Sequence, residues 1–163
     1  AIYALYGDIP AAQAQALATQ YSNNYYAGES SIPLFAGAVD TIKTLNKRGF
    51  KLAVATGKGR RGLNLALQHC ALTHYFQATR TVDECFSKPH PQMLHELMEA
   101  LVVLPERTLM IGDTSYDLQM AKNAGVRAVG VTYGAQKAEQ WQHLEPLRQF
   151  NNFNSLSAWL LEG

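Results

Sequence analysis

An α/β fold built on a parallel sheet is the architecture this sequence predicts, and three observations carry it. Short runs that are β-branched or apolar recur: FKLAVAT at Phe50 to Thr56, FQATRT at Phe76 to Thr81, TLMIG at Thr108 to Gly112 and AVGVT at Ala128 to Thr132. Runs of this kind, bounded by turn residues, mark strands buried on both faces. Helical stretches separate them, the alternation that produces parallel crossover connections. Finally, 163 residues of which 47% are hydrophobic suffice for a single domain with a proper core.

Each element follows from local pattern. Asp8, followed by Ile9 and Pro10, has the form of an N-cap with proline in the first turn. Leu17, Tyr21 and Tyr25 recur every fourth residue behind it, which predicts a helix over about 9–26. Gly28 to Gly37 has loop composition, with Pro33 inside it. From Ala38, the residues Val39, Ile42 and Leu45 share a helical face that stops at Gly49. The four apolar runs then serve as strands. Helices are expected over about 60–70, 90–102, 116–124 and 136–144, and a short amphipathic helix carries Leu156, Trp159 and Leu160. There is no internal repeat or linker, which argues against a second full domain.

Composition narrows the function classes. Fourteen basic against thirteen acidic side chains leave a net charge of +1, too little to serve as a footprint for nucleic acid or an anionic membrane. The longest apolar runs fall far short of the roughly 20 residues of a spanning helix. Cys70 and Cys85 are too few for a disulfide framework and lack zinc-knuckle spacing, so a reducing, cytoplasmic setting is expected. The chain begins at Ala1 rather than methionine, so the lack of a signal-peptide pattern there carries little weight.

Ligands of open parallel sheets bind at the carboxyl ends of the strands. Three polar clusters fall there: Thr56-Gly57-Lys58, Lys88-Pro89-His90-Pro91 and Gly112-Asp113-Thr114-Ser115-Tyr116-Asp117. Asp113 leaves an apolar strand and Asp117 lies four residues on, in the first turn of the next helix, so both carboxylates can face one spot. Two close like charges in a partly dry site call for a cation, and Mg²⁺ suits one or two carboxylates plus a substrate phosphate. The plainer alternative makes Asp117 a helix-capping acid and Asp113 a turn residue. The Thr56 hydroxyl and the N–H groups around Gly57 could hold a phosphate, or Thr56 could simply cap the next helix. Lys88 is a point charge suited to phosphate oxygens, or a solvated surface lysine. Their joint placement after successive strands of one sheet favours the shared reading.

These residues carry a resemblance. The strand ending in Thr56, Lys88-Pro-x-Pro, and Ile111-Gly-Asp113-x-x-x-Asp117 followed by Ala121-x-x-Ala124-Gly125 resemble motifs II, III and IV of the haloacid dehalogenase superfamily. Phe35-Ala36-Gly37 and Val129-Gly130-Val131-Thr132-Tyr133-Gly134 are similar to its phosphoglycolate-phosphatase-like branch. The resemblance covers roughly residues 30–161. It implies a three-layer, Rossmann-like parallel sheet over 34–163, with 1–33 as part of a helical cap that shapes substrate choice. It also implies that Thr56 and Lys88 act catalytically, with Thr56, Gly57 and Lys88 on the transferred phosphoryl group, and that Asp113 with Asp117 holds Mg²⁺. The expected activity is hydrolysis of a small phosphorylated metabolite, which depends on positioning and charge neutralisation.

The family's first motif, Asp-x-Asp, is not found in this chain. Its aspartates are Asp8, Asp40, Asp83, Asp113 and Asp117, and no two stand two apart; Asp8 precedes a helix rather than following a strand. In the resembled fold the strand bearing that motif lies between those at 50–56 and 108–112. Without it these two stand about 10 Å apart, beyond hydrogen-bond reach. The expectation is that an upstream segment or a second chain completes the sheet, or that the sheet closes up, and that this chain alone is inactive. A phosphosugar mutase and a non-catalytic domain binding a phospholigand or a partner are the alternatives. A metal-free dehalogenase is disfavoured by Asp113.

Other conspicuous residues read as structural. Tyr3, Tyr6, Tyr21, Tyr25 and Tyr26 suit packing or a cap–core interface. His69, His74, His90, His95 and His143 have no ligand spacing, and Lys58, Arg60 and Arg61 read as a solvated helix start.

Overall fold

The computed structural model describes residues 34–162. The helix predicted over 9–26 and the cap segment 1–33 lie outside the described residues.

Helix α1 (Ala38–Lys47) buries Ala38, Thr41 and Leu45 on one face. Gly49, at φ +84°, closes it in a Schellman motif: Gly49 N–H donates to Asn46 O at 2.9 Å and Phe50 N–H to Leu45 O at 3.1 Å. This cap uses Phe50, so the strand expected from Phe50 begins later. Strand β1 is Ala53–Thr56, and Phe50 is 48% exposed. Helix α2 (Arg60–His69) leads to β2 (Ala78–Thr81), which pairs parallel with β1 from Ala53↔Ala78 to Thr56↔Thr81.

Helix α3 (Gln92–Leu101), strand β3 (Leu109–Gly112), helix α4 (Ser115–Asn123) and strand β4 (Arg127–Val131) follow. The Ala121-x-x-Ala124-Gly125 pattern has a local cause. Gly125, at φ +69°, lets its N–H reach Lys122 O at 3.2 Å and lets Val126 N–H reach Ala121 O at 2.9 Å, ending α4 as Gly49 ends α1. Ala121 is fully buried in one cluster with Met93, Leu94 and Met98 of α3.

The helix expected over 136–144 is a correction. Two 3₁₀ turns, Ala138–Gln140 and Gln142–Leu144, flank Trp141, whose ring is fully buried. Glu145 at φ +53° and Pro146 then turn the chain into β5 (Arg148–Phe150), a strand not expected from the sequence. Its three residues place only Phe150 in the core, so it carries no apolar run to read. Helix α5 (Phe153–Glu162) closes the described residues.

All strand pairs are parallel, in two groups, β1-β2 and β3-β4-β5. Helices cover both faces of the larger group. On one side Ala121, Met120 and Val126 pack with Met93, Leu94 and Met98 of α3, and Ala55 of β1 and Met110 of β3 lie against the same cluster. On the other, Val129, Val131 and Phe150 pack against Leu156, Trp159 and Leu160 of α5. Each fully buried Met or Val of this kind contributes about 1.5–3 kcal/mol relative to exposure. The three-layer α/β expectation therefore holds. Among the described residues β1 and β3 do not hydrogen-bond to each other, so the sheet does not close up by direct pairing. Ile111 of β3 is 40% exposed, unlike the fully buried Val129 of β4.

Candidate active site

One side chain joins the carboxyl ends of the two strand groups. Lys88, in the loop between β2 and α3, donates from Nζ to Ala55 O at 2.9 Å and to Asp117 Oδ1 at 2.5 Å. Ala55 belongs to β1 and Asp117 to the first turn of α4, so the ammonium sits between Thr56 and the start of that helix. The Lys88 side chain is only 16% exposed, which rules out a solvated surface lysine. Two of its three N–H donors are in use, leaving one for an anion.

Asp117 is fully engaged. Its Oδ2 accepts from Thr114 Oγ1 at 2.7 Å and from Thr114 N–H at 3.2 Å, while Thr114 Oγ1 accepts from Asp117 N–H at 3.3 Å. This capping box starts α4. The four-residue spacing suggested that Asp113 and Asp117 face one cation. In the structure Asp117 Oδ2 serves the helix cap and Oδ1 the Lys88 ion pair, because a nearly buried carboxylate must be satisfied by donors close at hand. Gly112 makes this possible: a Cβ there would stand 2.3 Å from Asp117 Cβ.

Asp113 follows β3 directly. Its Oδ2 accepts from Ala135 N–H at 2.7 Å, and no described residue hydrogen-bonds to Oδ1. The loop after β4 approaches it so closely that a Cβ at Gly134 would lie 2.3 Å from Asp113 Cβ and Oδ2. Burial, and secondly the charge of Asp113, push the neighbouring Tyr133 phenol above its ordinary pKa. Among the described residues no three His, Cys, Asp or Glu side chains gather as a metal cluster. A cation here would have Asp113 as its protein carboxylate, with water and phosphate oxygens completing the shell. That donor set fits Mg²⁺, which keeps several waters.

Thr56 ends β1, and its Oγ1 accepts from Lys58 N–H at 3.1 Å. This is a local turn bond and not a helix cap, since α2 starts after Gly59 with no side-chain cap of its own, and it uses only the acceptor side of the hydroxyl, so that the O–H can still donate to a phosphate. A Cβ at Gly57 would meet nothing within 4 Å, so this glycine faces open space rather than a protein neighbour.

Arg60, expected to be a solvated residue at a helix start, is instead tied to the β2 end. Its guanidinium meets Glu84 at 2.8 and 2.5 Å and Thr79 Oγ1 at 2.7 Å, and its backbone N–H donates to Asp83 at 2.9 Å. Asp83 thus caps α2 through the Arg60 N–H while Glu84 pairs with the Arg60 guanidinium, a long-range arrangement that sequence spacing does not signal. Both cysteines are free thiols, and burial, followed by the charge of Glu96, pushes Cys85 up. No described helix is long and apolar enough to cross a membrane.

Residues 5–131 match the family model of haloacid dehalogenase-like hydrolases, a span that includes Thr56, Lys88, Asp113 and Asp117. The chain belongs to the haloacid dehalogenase-like hydrolase family. Among the relatives of this hydrolase-family chain, the pyrophosphatase PpaX of Anoxybacillus flavithermus is 32% identical over 76% of this chain and 58% of its own. The phosphoglycolate phosphatase of Salmonella choleraesuis is 32% identical over 91% of this chain and 60% of its own. The haloacid dehalogenase-like chain thus spans about 60% of the length of the curated relatives it matches. A hydrolase from Pseudomonas syringae shares the fold with a TM-score of 0.82, at 23% identity, over 96% of this chain and 76% of its own.

Proposed function

We propose that this chain is the phosphate-handling part of a Mg²⁺-dependent phosphatase acting on a small phosphorylated metabolite. The observation that carries the reading is the Lys88 ammonium, anchored to Ala55 O and Asp117 Oδ1 beside Thr56 with one donor unspent. Thr56 and the backbone at Gly57 bind phosphoryl oxygens, and Lys88 neutralises their charge. Asp113 is the carboxylate that holds the ion. Asp117 acts through Lys88 and the cap, as a positioning residue. Mg²⁺ when bound supplies charge stabilisation to the phosphoryl group.

The nucleophilic aspartate that the family resemblance implies comes from a strand between β1 and β3, supplied by a further segment or a second chain. That β1 and β3 do not hydrogen-bond to each other among the described residues supports this. Pyrophosphate and phosphoglycolate are the first substrates to try, given the relatives. The two free thiols support function in a reducing, cytoplasmic setting.

The test is a phosphate-release screen with and without Mg²⁺, on this chain alone and on the chain joined to a strand bearing Asp-x-Asp. Release is expected only in the joined form and only with Mg²⁺. Turnover by the chain alone refutes the nucleophile reading, and full activity of a joined Asp113→Asn variant refutes the metal reading. The chain also carries a second reading, favoured by its lack of Asp-x-Asp: a domain that binds a phospholigand without turning it over. Phosphate binding that persists with no hydrolysis in the joined form supports it.

A further inference from the structure

Resting on Asp113 as the cation ligand, we infer that Gln136 is a positioning residue for that carboxylate. The loop after β4 grips the Asp113 turn at two points. Ala135 N–H donates to Asp113 Oδ2 at 2.7 Å, and Ser115 N–H donates to Gln136 Oε1 at 2.7 Å. The bonds join two adjacent loop residues, Ala135 and Gln136, to Asp113 and Ser115, which flank Thr114, so they form a staple across the turn between β3 and α4.

The staple has a definite job there. The first turn of α4 exposes N–H groups with no intrahelical acceptor. Thr114 takes the N–H of Asp117, and Gln136 takes the N–H of Ser115. The helix start is therefore held from outside the helix, by a half-buried side chain that makes this one hydrogen bond among the described residues. With Ser115 fixed, the Asp113 backbone between β3 and α4 has little freedom, and Ala135 N–H fixes the rotation of its carboxylate by occupying Oδ2. Oδ1 is the oxygen left for a cation.

The loop is itself anchored at both ends, so it can act as a fixed point. Tyr133 packs edge-on against Phe35 with ring centroids 5.0 Å apart. At the other end Ala138 and Trp141 are buried against Leu118 of α4. Between the anchors, Gly134 passes Asp113 at a distance no side chain allows. Loss of the Gln136 acceptor frees the Ser115 end of the staple while leaving the ligand itself untouched.

The experiment measures Mn²⁺ binding to the full chain by electron paramagnetic resonance of the free ion, beside thermal stability and amide hydrogen exchange. Gln136→Met keeps the length and apolar stem but offers no oxygen; Gln136→Glu keeps the acceptor. Gln136→Met is expected to weaken Mn²⁺ about five- to tenfold, the size of one lost hydrogen bond, and to speed exchange at Ser115. Gln136→Glu is expected to bind at least as tightly as the wild type. Wild-type Mn²⁺ affinity in a folded Gln136→Met overturns the inference, as does equal weakening in Gln136→Glu. Asp113→Asn separates the two levels: if it binds Mn²⁺ like the wild type, or if the wild type binds none, the metal reading falls and this inference falls with it. Should Gln136→Met fail to fold, Gln136→Ala gives the same comparison.

Discussion

Lys88 Nζ stands 2.5 Å from Asp117 Oδ1, and the two side chains are 16% and 7% exposed. The same ammonium meets Ala55 O, so a single cation links β1, the β2–α3 loop and the start of α4. An ion pair this enclosed is costly to break from one side, because the remaining charge is left without a partner. Asp117→Ala should therefore destabilise the chain by about 3–5 kcal/mol, seen as a lower urea midpoint. It also removes the capping box, so its loss should exceed that of Lys88→Met. Replacing both, Lys88→Met with Asp117→Leu, should recover part of the loss. A double variant as unstable as the sum of the singles means that the pair contributes no coupling.

Acid should weaken the fold through carboxylates around β2. Hydrogen bonds from Arg60 hold Glu84 below its ordinary pKa, the Thr81 hydroxyl and then Arg60 N–H do so for Asp83, and Arg80 and then Gln92 do so for Glu96. Each is lower folded than unfolded, so its contribution is complete above the unfolded carboxylate value of about 4 and is lost as pH falls through the folded one. These groups are solvent-screened, so the effect is modest. Urea midpoints should fall from pH 6 to pH 3, and Glu84→Gln should flatten that slope. An unchanged slope in Glu84→Gln and Glu96→Gln assigns acid sensitivity elsewhere.

Val102 should be a site of easy stabilisation. It ends α3 at φ +52° and is 86% exposed, a left-handed conformation that a β-branched residue rarely adopts. Relief of a strain of about 1–3 kcal/mol by Val102→Gly outweighs the roughly 0.5–1 kcal/mol of added chain entropy. Nothing packs on this side chain to offset the gain. Thermal unfolding should shift upward by a few degrees; a downward shift shows that Val102 makes a contact its exposure hides.

Much of this is legible in the sequence, and the parts that are not share a cause. Strand ends at Thr56 and Gly112, the α4 span and the stops at Gly49 and Gly125 all depend on neighbours within five residues, and local pattern reads them. What sequence missed depends on partners far along the chain. Asp83 capping Arg60 is a contact across β2, and Asp117 is claimed by Lys88, 29 positions away. The 136–144 segment has helical composition, but burying Trp141 against Gly130 breaks it into two turns. Tertiary packing outweighed propensity there.

That packing makes Gly130 a sensitive position. Its backbone lies under the Trp141 ring, and a Cβ would stand 2.4 Å from Cζ3 and 2.5 Å from Cη2. Trp141 is fully buried with Leu118 and Ala138, and its Nε1–H has no acceptor among the described residues. The ring is therefore held by shape rather than by a hydrogen bond, and it has no second anchor if pushed. Gly130→Ala must displace either β4 or the ring, an overpacking cost of about 1–3 kcal/mol. The cheaper movement is outward rotation of Trp141, which brings its indole into water. Gly130→Ala should thus lower the thermal midpoint and red-shift tryptophan emission, with the shift absent in a Trp141→Phe background, where only Trp159 reports. A lower midpoint with unchanged emission means that β4 moved instead, and with it Gly112, which pairs with Gly130 in the register beside Asp113.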